Sequence, residues 1–139
     1  MSDFIDTSVL VAAMVATEPF HIECDALLNR KALAAYSHVL AETFSTLTGG
    51  RKAFRLPAAV TAAVLEEDYV PDLTITTLTP TEMLRAMREA EARGVRGGAI
   101  FDFLHLVAAR KAKAVRFYTL NISDFRAIHR SGDPEIVHP

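Results

Sequence analysis

Met1-Ser-Asp-Phe-Ile-Asp-Thr-Ser-Val-Leu10 opens the chain, and its reading decides the fold. Phe4 and Ile5 end a short buried strand. Asp6 follows at once, and Thr7-Ser8 open an apolar helical run from Val9 to Ala16. A carboxylate between a strand end and a helix mouth lies where open α/β sheets collect ligands. The same residue can equally be a plain helix cap that accepts backbone N–H groups. The choice depends on whether other acids reach the same spot.

Working outward, strands and helices alternate. After the strand Asp3–Asp6 and the helix Thr7–Val15, Glu18-Pro19 breaks the pattern and Phe20–Lys31 resumes it. Leu33 to Ser37 reads as a second buried strand, although alanine is a poor strand former. Ser37 leads into a helix over His38–Thr48 that stops at Gly49-Gly50. Pro57–Tyr69 is helical, and Leu73 to Leu78 alternates like a strand. Thr79-Pro-Thr-Glu82 has the pattern of a capping box with proline at the first helical position. The helix it starts ends near Gly94. The joint Val95 to Gly98 precedes a helix over Ile100–Lys113, the strand Val115–Tyr118, a turn into a short helix, and a last strand at Ile136-Val137. Strands alternating with helices predict a three-layer α/β/α domain around a central, mainly parallel sheet. No repeat or boundary divides residues 1–139.

Half of the 139 residues are hydrophobic and 23% are charged, enough for a core without disulfides or structural metal. The lone cysteine, Cys24, cannot pair internally, which suits a reducing cytoplasm. The run Val9 to Ala16 is too short to span a bilayer and has no basic leader, so neither secretion nor membrane insertion is expected. With 15 basic and 17 acidic residues the formal charge is −2. No global basic excess advertises nucleic-acid binding, so local patches must supply it.

Four acids occupy comparable places. Asp6 follows strand one. Glu42 lies one turn into the helix after strand two, on the face opposite the stripe Leu40, Phe44 and Leu47. Asp102 opens a helix in which, from Ile100 to Ala109, only Asp102 and His105 are polar. An unpartnered buried carboxylate is costly, so Asp102 should have a partner. His105, one turn on, reads as a packed or supporting residue. Asp124 follows the strand Val115–Tyr118 across a turn in which Asn121 is either a neutral ligand or a turn residue. Each acid alone is equally well a cap, turn or surface group. Together, the parallel topology lets them converge at one sheet edge. At ~4 Å and an effective dielectric of ~20, each carboxylate pair repels by about 4 kcal/mol, so a cluster needs a cation or protons. All-oxygen ligation without cysteine favours Mg²⁺ or Mn²⁺.

Phe-Ile-Asp6-Thr-Ser-Val-Leu, Glu42 in its helix, Gly97-Gly-Ala-Ile-Phe-Asp102-Phe-Leu-His-Leu-Val-Ala-Ala-Arg-Lys-Ala and Tyr118-Thr-Leu-Asn-Ile-Ser-Asp124-Phe together resemble the PIN-domain ribonucleases. The resemblance spans essentially the whole chain and is closest to VapC-type toxins of toxin–antitoxin pairs. It implies metal-dependent cleavage of RNA, with Asp6, Glu42, Asp102 and Asp124 as the acidic quartet on Mg²⁺ or Mn²⁺. Thr7 and Thr119 come over as polar neighbours. It also implies a small antitoxin partner and a homodimer or larger assembly. Phe103-Leu104-His105 departs from the family, which often has smaller residues and no histidine there.

RNA approaching an acidic pocket needs nearby cations. Arg51, Lys52 and Arg55 form one candidate patch, and Arg93 and Arg96 another; ordinary solvated surface explains both equally well. The apolar stretches Val9–Ala16 and Phe20–Leu28 offer surface for an interface or simply for the core. Two other function classes stay open. One is a phosphotransfer or receiver-like domain with Asp6 as nucleophile, although Asp3 is the nearest second acid and no lysine follows Tyr118. The other is a non-catalytic PIN-like module that docks a partner.

Overall fold

The computed structural model describes residues 2–49 and 55–139. Five strands, β1 (Asp3–Ile5), β2 (Leu33–Tyr36), β3 (Leu73–Thr76), β4 (Arg116–Tyr118) and β5 (Glu135–Val137), form one sheet. Their order is β3-β2-β1-β4-β5, and every pairing is parallel. The expected central parallel sheet is present, and among the described residues all of its pairings are parallel. The helices are α1 (Thr7–Met14), α2 (His21–Arg30), α3 (His38–Gly49), α4 (Ala58–Val64), α5 (Pro80–Ala90), α6 (Ala99–Lys111) and α7 (Ile122–Ile128).

Side-chain alternation along the strands explains the three layers. Phe4, Ala34, Tyr36, Phe117 and Ile136 point to one face and join a core with Phe103, Leu106 and Phe125 from α6 and α7. Ile5, Leu33, Ala35 and Tyr118 point to the other and pack with Val9, Leu10, Cys24, Leu27 and Val39 from α1, α2 and α3. A sheet covered on both faces lets strands be continuously apolar. That is why Leu33-Ala-Ala-Tyr36 forms a strand despite its alanines: all four residues are buried. Small side chains also let α6 approach β2.

Local signals account for several boundaries. Thr79 and Glu82 make the reciprocal capping box, with Thr79 Oγ1 accepting from Glu82 N at 3.2 Å and Glu82 Oε1 accepting from Thr79 N at 2.9 Å. Gly94 closes the region after α5 at φ +69°, where a β-carbon is disfavoured. Pro57–Tyr69 is less regular than its pattern predicts: α4 ends at Val64 and continues as a π-helical turn over Leu65–Tyr69. Cys24 is fully buried, and burial, then the charges of Glu23 and Asp6, push its thiol up to about 11. Among the described residues no helix is long and apolar enough to cross a membrane.

The strand order places the topological switch between β1 and β4. The chain winds outward from β1 through β2 to β3, then returns to lay β4 on the other side. Ligands bind outside the carboxyl ends of strands at such a point. Asp6, just after β1, and Thr119, just after β4, stand on either side of it.

Candidate metal and RNA site

Asp6 is 4% exposed and tied down by its neighbours. Its backbone N–H donates to Tyr118 O at 3.2 Å, extending the β1–β4 pairing. Its extended backbone (φ −100°, ψ −178°) caps α1, and Oδ1 accepts from Val9 N at 3.4 Å. Ser8 Oγ donates to the same oxygen at 2.6 Å, and Thr119 Oγ1 donates to Oδ2 at 2.8 Å. Each hydroxyl is itself oriented: Ser8 Oγ accepts from Leu120 N at 3.0 Å, and Thr119 Oγ1 accepts from Asn121 N at 2.9 Å. Burial still outweighs these bonds and the nearby His105, so the carboxyl is held above its usual range. Capping and site-building are therefore not alternatives here; Asp6 caps α1 while its second oxygen is held across the switch point.

Asp102, in the first turn of α6, is half-buried. Its carboxyl is also raised, first by burial and then by the charges of Asp6, Asp124 and Glu42, with His105 opposing. One group thus feels all three other acids. Among the described residues no lysine or arginine pairs with any of the four. Nor are any three His, Cys, Asp or Glu side chains already grouped to hold an ion. The quartet is within electrostatic reach of Asp102, not in ready-made ligand contact. Asp124, in the first turn of α7, is exposed, while Glu42 in α3 is half-buried. The donor set is all oxygen, which suits a hard divalent cation.

His105 gives Glu42 its position. His105 is 1% exposed, and its Nε2 meets Glu42 Oε1 at 2.5 Å, bridging α6 to α3. Its ring stands edge-on to Tyr36, with ring centroids 5.4 Å apart, and Tyr36 in turn stacks on His38. His105 Nδ1 is buried without a partner. The face of α3 opposite its apolar stripe therefore meets a polar partner rather than water alone.

Several expectations need correction. Arg93 is not a free cation beside Arg96. Its guanidinium forms an ion pair with Asp133, donates to Ile128 O at 3.2 Å, and lies over the Phe103 ring at 5.1 Å. Its side chain is 10% exposed, so it has little to offer RNA. Arg55 and Arg96 are exposed; Arg51 and Lys52 lie outside the described residues. Thr7 makes no side-chain hydrogen bond to Asp6: its Oγ1 is buried without a hydrogen-bond partner, and Ser8 makes that bond instead. Asn121, read as a neutral ligand or a turn residue, donates its backbone N–H to Thr119 Oγ1 in the turn before α7. The first turn of α6 is not enclosed all round, because Phe101 is 53% exposed. The apolar α1 is spent on the core, while Phe20 and Ile22 remain outside at 50% and 78% exposure.

The sequence model of the PIN domain matches residues 4–130, and the chain belongs to the PIN domain family. Its VapC-type character follows from a curated relative, Ribonuclease VapC27 of Mycobacterium tuberculosis (strain ATCC 25618 / H37Rv). The two are 31% identical over 110 residues, which cover 79% of this chain and 78% of the relative. Among solved structures, Mycobacterium tuberculosis VapC20, described as a Sarcin-Ricin loop cleaving toxin, shares the fold with a TM-score of 0.73. That match covers 99% of this chain and 100% of the other at 21% identity. VapBC2 from Rickettsia felis, bound to a DNA fragment from its promoter, matches with a TM-score of 0.67 at 20% identity, covering 100% and 99% of the two chains. FitAcB from Neisseria gonorrhoeae matches with a TM-score of 0.65 at 16% identity, covering 98% and 96%.

Proposed function

We propose that this chain, acting as one domain over residues 1–139, is the toxin of a toxin–antitoxin pair. It is a Mg²⁺- or Mn²⁺-dependent endoribonuclease that hydrolyses RNA phosphodiester bonds. One observation carries the reading: Asp102 lies within electrostatic reach of three other carboxylates, with His105 the charge that opposes them, and among the described residues no lysine or arginine pairs with any of the four. Carboxyl groups whose ionisation is opposed by burial and by like charges cluster at functional positions. The ribonuclease relative supports the chemistry, and the complexes among the structural neighbours support an antitoxin partner.

Asp6 and Asp102 would hold the ion, and Glu42 and Asp124 would complete the set. Such an ion supplies positive charge against the phosphodiester and acidifies water at the site. The chain's own work is positioning. Ser8, Thr119 and Val9 N fix Asp6 before any ligand arrives. His105 holds Glu42 toward α6. Asp102 and Asp124 come from first turns of helices, whose dipoles favour anions there. Arg55 and Arg96 stand exposed where they can meet RNA phosphates, which makes affinity fall as salt rises. The homodimer, the cytoplasmic setting and the antitoxin belong to the same proposal.

Cleavage-site mapping on total RNA tests this reading. Wild type with Mn²⁺ should cut at defined positions, and EDTA should stop it. D6N and E42Q should cut at least about 10³-fold more slowly, the loss expected when several kcal/mol of ion-mediated stabilisation disappears. Equal cutting by all three would indict a contaminant. No cutting by wild type freed of its partner would favour the docking module.

The His105–Glu42 contact predicts a separate result. His105→Leu should weaken Mn²⁺ binding about 10- to 100-fold, the usual effect of losing a group that orients a ligand. His105→Gln keeps an N–H near Glu42 and should restore much of it. Calorimetric titration with Mn²⁺ reads this directly; equal affinity in the Leu variant would make His105 a mere core residue.

A further inference from the structure

A cavity of about 440 Å³ opens beside Asp6, and no step proposed above uses it. Thr7, Ser8, Glu18, Phe20, Thr46 and Asn121 are among its walls. Its volume falls within the roughly 300–1,000 Å³ typical of sites for small organic groups. Ser8 belongs to both places: its hydroxyl lines the cavity and donates to Asp6 Oδ1. Anything seated in the cavity is therefore one residue's width from the candidate site.

Phe20 is the unusual wall. It sits at φ +64°, a left-handed conformation unfavourable for any residue with a β-carbon. Half of its surface is exposed, and His138 buttresses the ring edge-to-face at a centroid distance of 4.6 Å. Neither core packing nor backbone preference accounts for an aromatic there. The remaining walls mix the apolar Val11, Ala12, Pro19 and Leu120 with hydroxyls and an amide, and Thr7 Oγ1 still lacks a partner. Among the described residues none of the lining side chains is basic, and Glu18 contributes a carboxylate. That lining repels a phosphate but suits an uncharged ring with donors and acceptors on its edge.

We infer that this cavity receives the base of a nucleotide flanking the bond to be cut, with Phe20 as its stacking platform. Single-stranded RNA is recognised in this way, by bases splayed onto aromatic side chains and hydrogen-bonded at their edges. The inference rests on the ribonuclease reading, and names where that substrate is gripped.

The test uses the full chain and short single-stranded RNA of random sequence carrying 5-iodouridine, which crosslinks to stacked aromatic rings on irradiation. EDTA and low salt keep the RNA intact. Wild type should crosslink at Phe20. Phe20→Gly, which adopts φ +64° freely and should fold at least as well, should bind roughly 5- to 100-fold more weakly, the range of base–aromatic stacking. Phe20→Trp should stay within about twofold of wild type. With Mn²⁺, the Gly variant should raise KM more than it lowers kcat. Wild type that cuts RNA while Phe20→Gly binds and cuts identically overturns the subsite alone. Wild type that neither binds nor cuts RNA overturns the ribonuclease reading and this inference with it. Unchanged RNA binding with weakened capture of a co-expressed partner protein assigns the cavity to a protein and also overturns the inference.

Discussion

Asp102→Asn should raise the melting temperature of the metal-free protein while abolishing its RNA cleavage. Burial, then the charges of Asp6, Asp124 and Glu42, hold the Asp102 carboxyl above its usual range. The sign follows from linkage. A carboxylate with a raised folded-state pKa leaves full stability in place below its unfolded value. That stability is lost as pH rises through the folded-state value. At neutral pH the folded chain is therefore strained by this charge. Asparagine keeps the shape and removes the repulsion. The gain should be on the order of 1 kcal/mol, or roughly 3–6 °C in Tm for a chain of this size. It should grow from acid to neutral pH. Saturating Mn²⁺ should raise the Tm of wild type but scarcely that of D102N. Cleavage should fall by about 10³-fold or more. Differential scanning calorimetry in EDTA and in Mn²⁺ reads the first part. A D102N variant less stable than wild type in EDTA would show that Asp102 is held by a favourable partner, and the crowding argument would fail.

Arg93→Met should be the most damaging substitution away from the acids. Asp133 has a side chain only 1% exposed. Its oxygens receive Arg93 Nη2 at 3.3 Å and Arg130 N at 2.9 Å, with Arg110 Nη1 at 3.6 Å. Burial pushes the Asp133 carboxyl up, but the hydrogen bonds and charges of Arg93, Arg130 N–H and Arg110 prevail and leave it below its usual range. Removing one partner of a buried ion pair costs about 3–5 kcal/mol, and the remaining Arg110 puts this case at the low end. The loss should appear in urea as a lower midpoint with an unchanged slope. Its pH dependence runs opposite to that of Asp102. A depressed carboxylate contributes stability above its unfolded value that disappears as pH falls through the folded one. The gap between wild type and R93M should therefore narrow in acid. Because Arg93 is withdrawn from solvent, R93M should leave the salt dependence of RNA binding unchanged, whereas R96A should reduce it. A stability change under 1 kcal/mol would mean that Arg110 alone suffices.

Which parts of this could be read from the sequence follows from the range of the forces involved. Strand–helix alternation and the Thr79 capping box are local patterns, and the layers and the helix start appeared where those patterns placed them. The positions of Asp6, Glu42, Asp102 and Asp124 relative to strand ends were legible because parallel topology turns strand ends into one edge. Ser8 was missed although it was within view: Asp followed two residues later by Ser is a common local hydrogen-bonding spacing. Arg93 was misjudged because its partner Asp133 lies forty residues on, across α6 and β4, where no periodicity reaches. The pairing of His105 with Glu42 was invisible for the same reason, since it joins two helices that only the sheet brings together. The cavity beside Phe20 depends on a left-handed backbone angle that nothing in Glu18-Pro19-Phe20 announces.

The most direct test of a shared cation site is calorimetric titration of Mn²⁺ into wild type, D6N, E42Q, D102N and D124N at one pH and salt. Wild type should bind at least one ion, with each substitution weakening the same binding event and D6N and D102N doing so most. Affinity and stoichiometry identical across all five proteins would contradict the claim that these side chains act on a single ion.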